Sequence, residues 1–168
     1  MGAIEHTNRV TAMKKLAAIL MLATALVTPE LAFAKDLTIT ANIVGYNGPG
    51  TYLAIYVTKP DGSYNSTLWV AGGRAEYYRH LRQWVRGISG TSDTIDGITG
   101  ASIGGGQSLT IHASIADSLI DAGYEIHVDS AVENGGEFPS DVVVPLTQAN
   151  SGVKVSGKGF VESLVVNM

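Results

Sequence analysis

The chain has 168 residues, a formal net charge of −4 at pH 7 and no cysteine. Disulfides, thiolate metal sites and cysteine nucleophiles are therefore excluded. The acidic balance argues against a nucleic-acid partner, because proteins that bind nucleic acids present basic surfaces to the phosphates. Beyond residue 34 the histidines are His80, His112 and His127, and none shows a paired spacing of metal ligands. No metal site is predicted, and a metal-carrying protein is the weakest of three functional interpretations.

The N-terminal segment has the features of a secretory signal. Lys14-Lys15 precede an apolar run at residues 16–27, and the small-x-small sequence Ala32-Phe33-Ala34 follows it. Such a short run does not cross a bilayer core of about 30 Å as a helix. We therefore expect residues 1–34 to be a cleaved signal peptide. The mature chain is then located in the periplasm or another extracytoplasmic compartment and does not insert into the membrane.

Residues 35–168 are predicted to form a single domain. Their eight basic and thirteen acidic side chains give a net charge of −5. Removal of 34 of the 168 residues leaves 134, which is enough to bury a core. Two alternatives stay open at the N-terminus. The signal is either cleaved or kept as an anchor, and translation begins either at Met1 or at Met13.

Most of the mature chain has the sequence pattern of β-strands. Apolar and polar residues alternate from Leu37 to Val44, which is the period of a half-buried strand. Lys59-Pro60-Asp61-Gly62-Ser63 has the composition of a hairpin turn and predicts an antiparallel pair around it. Glycine-rich turns separate the later runs. The predicted strands cover residues 37–44, 51–58, 64–70, 107–114, 124–132, 138–146 and 159–166.

After Gly72-Gly73 the period becomes helical, and Gly87 is the predicted stop signal. One apolar stripe is formed by Tyr77, Leu81, Trp84, Val85 and Ile88, and the opposite side carries Arg79, Arg82 and Arg86. The arginines form either a solvated face or a cationic surface for a phosphate or an acidic partner. The fold class is therefore mainly β, an antiparallel Ig-like β-sandwich with one side α-helix lying across its edge.

Between the helix and the next strand lies a loop of small and hydroxyl-bearing residues at positions 91–106. Its segment Asp96-Gly97-Ile98-Thr99-Gly100-Ala101-Ser102 resembles the acceptor motif of the flavin transferase that moves FMN from FAD onto a protein hydroxyl. The resemblance implies that Ser102 receives FMN through a phosphodiester. Its recognition sequence would comprise Asp96, Thr99, Gly100 and Ala101. Gly and Ala before the hydroxyl remove bulk, which lets the backbone approach another enzyme's active site.

The sequence at residues 51–57, 60–62, 67–69 and 77–84, together with this loop, is similar to the periplasmic domain of unknown function 2271 family. The likeness extends from Leu37 to the end of the chain. Proteins of that family are often encoded beside membrane redox proteins and flavin transferases, which implies both as partners. The family usually has Thr-Arg after Gly-Ala, whereas this chain has Ser102-Ile103. A phosphate partner would then have to come from Arg82 or Arg86.

The predicted function is that of a periplasmic flavoprotein. Covalent FMN on Ser102 would transfer electrons between membrane and extracytoplasmic redox partners, and Tyr77, Tyr78 and Trp84 are candidates for packing near the flavin ring. The alternative is a non-redox binding or accessory β-sandwich module. The loop itself has a purely structural interpretation, as a tight entry to the next strand, and Asp96 is either a turn cap or part of the recognition sequence. A serine hydrolase is disfavoured, because no G-x-S-x-G sequence surrounds Ser102.

Overall fold

The computed structural model describes residues 33–168. The predicted signal peptide lies outside the described residues, apart from Phe33 and Ala34, and so does the choice between Met1 and Met13. Nine strands are present: β1 Ala34–Ile43, β2 Thr51–Thr58, β3 Tyr64–Ala71, β4 Thr99–Gly100, β5 Ser108–Ala116, β6 Glu125–Val132, β7 Gly136–Pro145, β8 Lys154–Ser156 and β9 Val161–Asn167. All seven predicted strands are confirmed, with bounds that shift by three residues at most. The strands β4 and β8, which have two and three residues, were not predicted.

The strands form two sheets that pack face to face, so the predicted β-sandwich is confirmed. One sheet has the order β5-β1-β9-β8, and the other has the order β4-β3-β2-β6-β7. The β2–β3 hairpin is antiparallel, as its turn predicts. The expectation of wholly antiparallel pairing is wrong at one place, because β4 pairs with β3 in parallel. That exception concerns the predicted acceptor motif, since β4 consists of its Thr99 and Gly100.

The alternation in β1 is explained by the core between the sheets. Leu37, Ile39 and Ala41 point inward and are essentially inaccessible, while the threonines between them are half-buried. Leu53 and Ile55 of β2 face them from the other sheet and belong to the same cluster. Burial of each of the larger aliphatic side chains stabilises the folded state by about 1.5–3 kcal/mol.

The outer face of the five-stranded sheet is covered by the helical segment, which was predicted to lie across the sandwich edge. Every residue of β2 is buried, because Tyr52, Ala54 and Tyr56 pack beneath a helical segment. The segment therefore lies on the sheet face and not across the sandwich edge. The physical reason is the continuous apolar character of β2, since a strand with water on one side would alternate.

The helical segment is not one helix. A 3-10 helix spans Ala75–His80, and a separate helix, α1, spans Arg82–Ile88. The chain breaks between them at Leu81, whose φ of −87° and ψ of 70° are not helical and whose side chain is fully buried. Gly87 lies inside α1 and does not end it, so the predicted stop is wrong by about one residue. The predicted apolar stripe is confirmed, because all five of its side chains pack onto the sheet. No helix within residues 33–168 is long and apolar enough to cross a membrane.

Candidate functional site

The predicted acceptor motif begins in an exposed turn at the edge of the five-stranded sheet. Asp96 and Gly97 form this turn, and Gly97 has a φ of 79°, which favours glycine. The Asp96 side chain is exposed and makes no hydrogen bond within residues 33–168. Its position in a turn is as expected, whereas the capping role considered for it is not seen. Its carboxylate is accessible to another molecule.

The middle of the motif is fixed to the edge of the sheet. The Val70 N–H donates to the Ile98 carbonyl at 2.9 Å, and the Gly72 N–H donates to the Gly100 carbonyl at 2.7 Å. A Cβ added at Gly100 would lie 2.9 Å from Cζ2 of Trp69, so only glycine lets the loop lie against this indole. The motif therefore has a defined backbone path, and the glycine that the acceptor sequence requires has a structural use as well.

Ser102 follows where the chain leaves the β3 edge and pairs with the start of β2. The Thr51 N–H donates to the Ile103 carbonyl at 2.6 Å, and the Ile103 N–H donates back to the Thr51 carbonyl at 3.0 Å. A Cβ added at Gly50 would lie 2.5 Å from Oγ of Ser102 and 2.9 Å from its Cβ. Ser102 is half-exposed, and its hydroxyl makes no hydrogen bond within the described part of the chain. The serine thus occupies a space that the absent side chain of Gly50 leaves open.

The pairing also fixes the direction of the Ser102 side chain. Thr51 and Ile103 are antiparallel partners, which puts Ser102 opposite Tyr52. Neighbouring residues of a strand point to opposite faces, and Ile103 points into the core between the sheets. Ser102 therefore faces the outer side of the five-stranded sheet, where the 3-10 helix lies.

Tyrosines form the surface next to this position. The ring of Tyr52 lies 5.6 Å from that of Tyr77 and 6.5 Å from that of Tyr78, measured between ring centroids. The Tyr78 hydroxyl donates to the Gly72 carbonyl at 2.9 Å, and the Tyr77 hydroxyl donates to Glu133 at 2.5 Å. Tyr77 and Tyr78 are half-buried, so each presents part of its ring to solvent. The aromatic group expected near the flavin thus lies on the face of the sheet toward which Ser102 points. Trp84 is buried in the layer beneath α1.

The three predicted arginines are exposed, but they are spread along the helical segment. Arg82 pairs with Glu137, which also binds Nδ1 of His80 at 2.5 Å. Arg79 donates from Nε to Nε2 of His80 at 3.3 Å. Arg86 lines a hollow at the far end of β2 together with Thr58.

A fourth arginine is connected to the motif, and the sequence analysis missed it. The Arg74 carbonyl accepts from the Tyr77 N–H at 3.1 Å, and Arg74 lies two residues after Gly72, which is bonded to Gly100. The side chain of Arg74 is exposed. The sequence offered one sign of this role, because Arg74 directly follows Gly72-Gly73 at the end of a strand. Arg74 is therefore a basic residue close in sequence to the strand end that is bonded to the predicted acceptor motif, and a hydrogen bond to Tyr77, with the nearby Glu76 and Glu133, raises the pKa of its side chain.

A buried carboxylate positions the helical segment, and it too was missed as a functional residue. Asp129 of β6 accepts hydrogen bonds from the backbone N–H groups of Gln83 at 2.7 Å and Trp84 at 2.9 Å. Its other oxygen accepts from the Tyr56 hydroxyl at 3.1 Å and from the Ser140 N–H at 2.8 Å. Its side chain is completely inaccessible. Asp129 thus satisfies the free N–H groups at the start of α1 and fixes the helix onto the sheet.

The structure gives Ser102 no catalytic partner. His127 of β6 lies between Oγ of Ser140 at 2.9 Å and Glu125 at 3.1 Å, and within residues 33–168 no histidine bonds to Ser102. The described residues also contain no group of three or more His, Asp or Glu side chains arranged to hold a metal ion. Gly105 packs on the backbone of Tyr46, and a strand, β5, follows the three glycines. This order differs from the strand-loop-helix order of nucleotide-binding glycine loops.

The comparisons with known proteins give one result at the family level. The model of the DUF2271 family, described as a predicted periplasmic protein, matches residues 34–163. Searches of curated proteins and of solved structures found no significant match. The family match covers the sandwich from β1 into β9 and includes the whole loop around Ser102. The chain belongs to the DUF2271 family of predicted periplasmic proteins.

Proposed function

We propose that this periplasmic protein is an electron carrier that holds FMN covalently on Ser102. The observation that carries the proposal is the state of the Ser102 hydroxyl, which is half-exposed and unbonded among residues 33–168 within a loop of small residues. A hydroxyl with a structural role would be expected to bond to a neighbour. This one is left free at a place where both sides of the loop are fixed to the sheet.

The attachment is a phosphoryl-group transfer that a flavin transferase would catalyse. Oγ of Ser102 attacks the phosphorus on the FMN side of the FAD pyrophosphate, the pyrophosphate bond breaks, AMP leaves, and the hydroxyl loses its proton. An acceptor of this kind must enter the transferase's active site. The exposed Ala101 and Asp96 and the glycine at position 100 leave the approach to Ser102 free of large side chains.

The residues beside Ser102 fit a bound flavin. Arg74, on the segment bonded to the motif, is the basic side chain suited to the phosphodiester charge. Tyr77 and Tyr78, which are half-buried above the buried Tyr52, offer aromatic surface against which a flat ring system packs. When bound, FMN supplies the redox chemistry, and the protein contributes position and electrostatics. A membrane redox protein is the proposed electron partner.

The test is to express the exported protein together with a flavin transferase and to measure its intact mass. The expected result is a gain equal to FMN minus one water, with flavin fluorescence that persists in a denaturing gel. Ser102→Ala should remove the label and keep the far-UV circular dichroism spectrum. Ser102→Thr should retain it, because threonine keeps the hydroxyl. Ser92→Ala is the matched control, since this exposed serine belongs to the same loop but lies outside the motif.

Two results would overturn the proposal. One is an unlabelled wild-type protein in cells where a second acceptor protein is flavinylated. The other is a label that persists in Ser102→Ala, which would move the attachment to another side chain. The first result would leave the non-redox binding module as the function to pursue.

A further inference from the structure

A second candidate site lies at the opposite end of β2 from Ser102. An open hollow of about 430 Å³ separates the β2–β3 hairpin from α1. Thr58, Lys59 and Tyr64 line it on the hairpin side, and Gln83, Arg86 and Gly87 line it on the helix side. Thr58 is six residues further along β2 than Tyr52, the residue opposite Ser102. At about 3.3 Å per residue the two places are roughly 20 Å apart.

The charged side chains that line the hollow are both basic. They are Lys59 and Arg86, and no carboxylate from residues 33–168 is part of the lining. Neither of the two is in an ion pair within residues 33–168, although the mature chain as a whole is acidic. An unpaired basic pair around a cavity attracts an anion.

The nearest carboxylates are already bonded to other groups. Asp93 accepts from the Tyr64 hydroxyl at 3.0 Å, and Asp61 accepts from the Ser63 N–H at 2.9 Å. Glu125, opposite Thr58 on β6, binds His127 at 3.1 Å. Hydrogen bonds from Ser63 and, to a smaller extent, the Lys59 charge lower the pKa of Asp61, so this carboxylate stays ionised near the rim. None of these carboxylates forms an ion pair with Lys59 or Arg86 within residues 33–168.

The floor of the hollow holds an unsatisfied polar atom. Oγ1 of Thr58 is buried and has no hydrogen-bond partner within the described residues, and the side chain as a whole is 2% exposed. Val57 points into the core, so the alternation along β2 directs Thr58 to the outer face with Tyr56, which also lines the hollow. A buried hydroxyl without a partner costs free energy, and an acceptor atom in the hollow would remove that cost.

The tyrosines beside Thr58 add no negative charge. Burial raises the pKa of Tyr56, with a further contribution from the Asp129 carboxylate, and burial also raises the pKa of Tyr64. Both hydroxyls therefore stay neutral at physiological pH. The charged side chains on the wall of the hollow itself are therefore Lys59 and Arg86.

We propose that this hollow is a binding site for a small oxyanion, a molecule carrying a phosphate or carboxylate group. The anionic oxygens lie between Lys59 and Arg86, and one of them accepts the hydrogen bond of the Thr58 hydroxyl. The site does not depend on the flavin at Ser102, because none of its lining residues belongs to the motif at residues 96–102.

The test is an NMR titration of the ¹⁵N-labelled exported protein with inorganic phosphate and, separately, with acetate, at constant ionic strength set by sodium chloride. Saturable shifts at the amides of Lys59, Gly62, Arg86 and Gly87 are expected with at least one of the two anions. Saturation by phosphate alone identifies a phosphate site, and saturation by acetate alone identifies a carboxylate site. The absence of saturable shifts with both anions overturns the proposal.

Variants connect the binding to the named side chains. Lys59→Gln and Arg86→Gln should each weaken binding by about tenfold, because each removes a charged hydrogen-bond donor. Lys158→Gln is the matched control, since it removes the same charge from an exposed position outside the hollow and should leave affinity unchanged. Equal affinity in the wild type and in both hollow variants overturns the assignment.

Thr58→Val tests the hydroxyl itself, because valine has nearly the same shape. The expected result is weaker anion binding together with a higher urea midpoint for the free protein, since the unsatisfied hydroxyl is gone. Unchanged affinity with a higher midpoint would overturn the role of Thr58 as a ligand. A lower midpoint would show that the hydroxyl is satisfied in the free protein and would overturn the same role.

Discussion

Asp129→Asn is the sharpest test of how the helical segment is fixed to the sheet. Asparagine keeps the size of the side chain but replaces one carboxylate oxygen with an NH₂ group. In the native protein one oxygen accepts from the N–H groups of Gln83 and Trp84, and the other accepts from the Tyr56 hydroxyl and the Ser140 N–H. With the NH₂ group toward Gln83 and Trp84, two of the four donors face another donor. In the opposite orientation only the Ser140 N–H does so, because the Tyr56 hydroxyl turns to accept from the NH₂ group.

The expected cost follows from this count. A buried donor left without a partner costs about 1–3 kcal/mol, and the amide takes the orientation that leaves one such donor. The lost negative charge at the start of α1 adds a smaller contribution, about 0.3–1 kcal/mol. A domain has only about 5–15 kcal/mol of stability in total. Asp129→Asn should therefore remove a large share of it.

Urea denaturation followed by far-UV circular dichroism measures the change in the free energy of unfolding. Asp141→Asn is the matched control, because Asp141 is equally buried and accepts from Ser130 and from three backbone N–H groups near β9. Both variants should be destabilised, but only Asp129→Asn should speed hydrogen exchange at the amides of Gln83 and Trp84. A loss below about 1 kcal/mol, or unchanged exchange at these two amides, would refute the reasoning.

Two further variants probe the surroundings of the acceptor loop and of the helical segment. Glu137→Gln should lower the urea midpoint by more at pH 7 than at pH 3. The hydrogen bond from His80 lowers the pKa of Glu137 below its ordinary value of 4.5. The ionised carboxylate therefore stabilises the wild type, and this stabilisation is lost as the pH falls through the lowered pKa. Equal differences in midpoint between the wild type and the variant at both pH values would contradict this. Gly100→Ala should cost about 1–3 kcal/mol and shift tryptophan emission, because the new Cβ overlaps Trp69. Gly73→Ala, where a Cβ meets nothing within 4 Å, is its control, and equal effects of the two would refute the overlap.

The strands were predictable because their signal is local. In β1 the inward positions are Leu37, Ile39 and Ala41, and the period of two is visible without any tertiary information. The β2–β3 hairpin was predictable for the same reason, since its turn lies in five consecutive residues. In β2 the pattern Thr51 to Thr58 has no alternation, and this absence was the available sign that a second layer covers the sheet.

The break in the helical segment was not predictable, because its cause lies far away in the sequence. The carboxylate that starts α1 belongs to Asp129, 46 residues after Gln83. The apolar stripe continues through Leu81, so periodicity alone favours a single helix. The two residues of β4 had no detectable pattern either, since their pairing with β3 depends on the fit of Gly100 against Trp69.

The predicted acceptor motif was singled out from the sequence, whereas the accessibility of its serine could not be predicted. Seven residues were enough to single out Ser102, but the free hydroxyl depends on Gly50, which approaches it from the start of another strand. Arg74 was overlooked because its relation to the motif passes through the hydrogen bond between Gly72 and Gly100. Local sequence thus indicates which hydroxyl is the candidate acceptor, and only the pairing of distant segments shows that this hydroxyl is exposed.

The two candidate sites share one support, which is the helical segment on the outer face of the sheet. Its 3-10 helix supplies Tyr77 next to the Ser102 end of β2, and α1 supplies Arg86 to the hollow at the Thr58 end. Asp129 binds the chain between these two parts. A rigid attachment at Asp129 keeps both surfaces in place at once. This role explains why a fully buried charge with four hydrogen bonds is present at a position where an apolar residue would avoid the cost of desolvation.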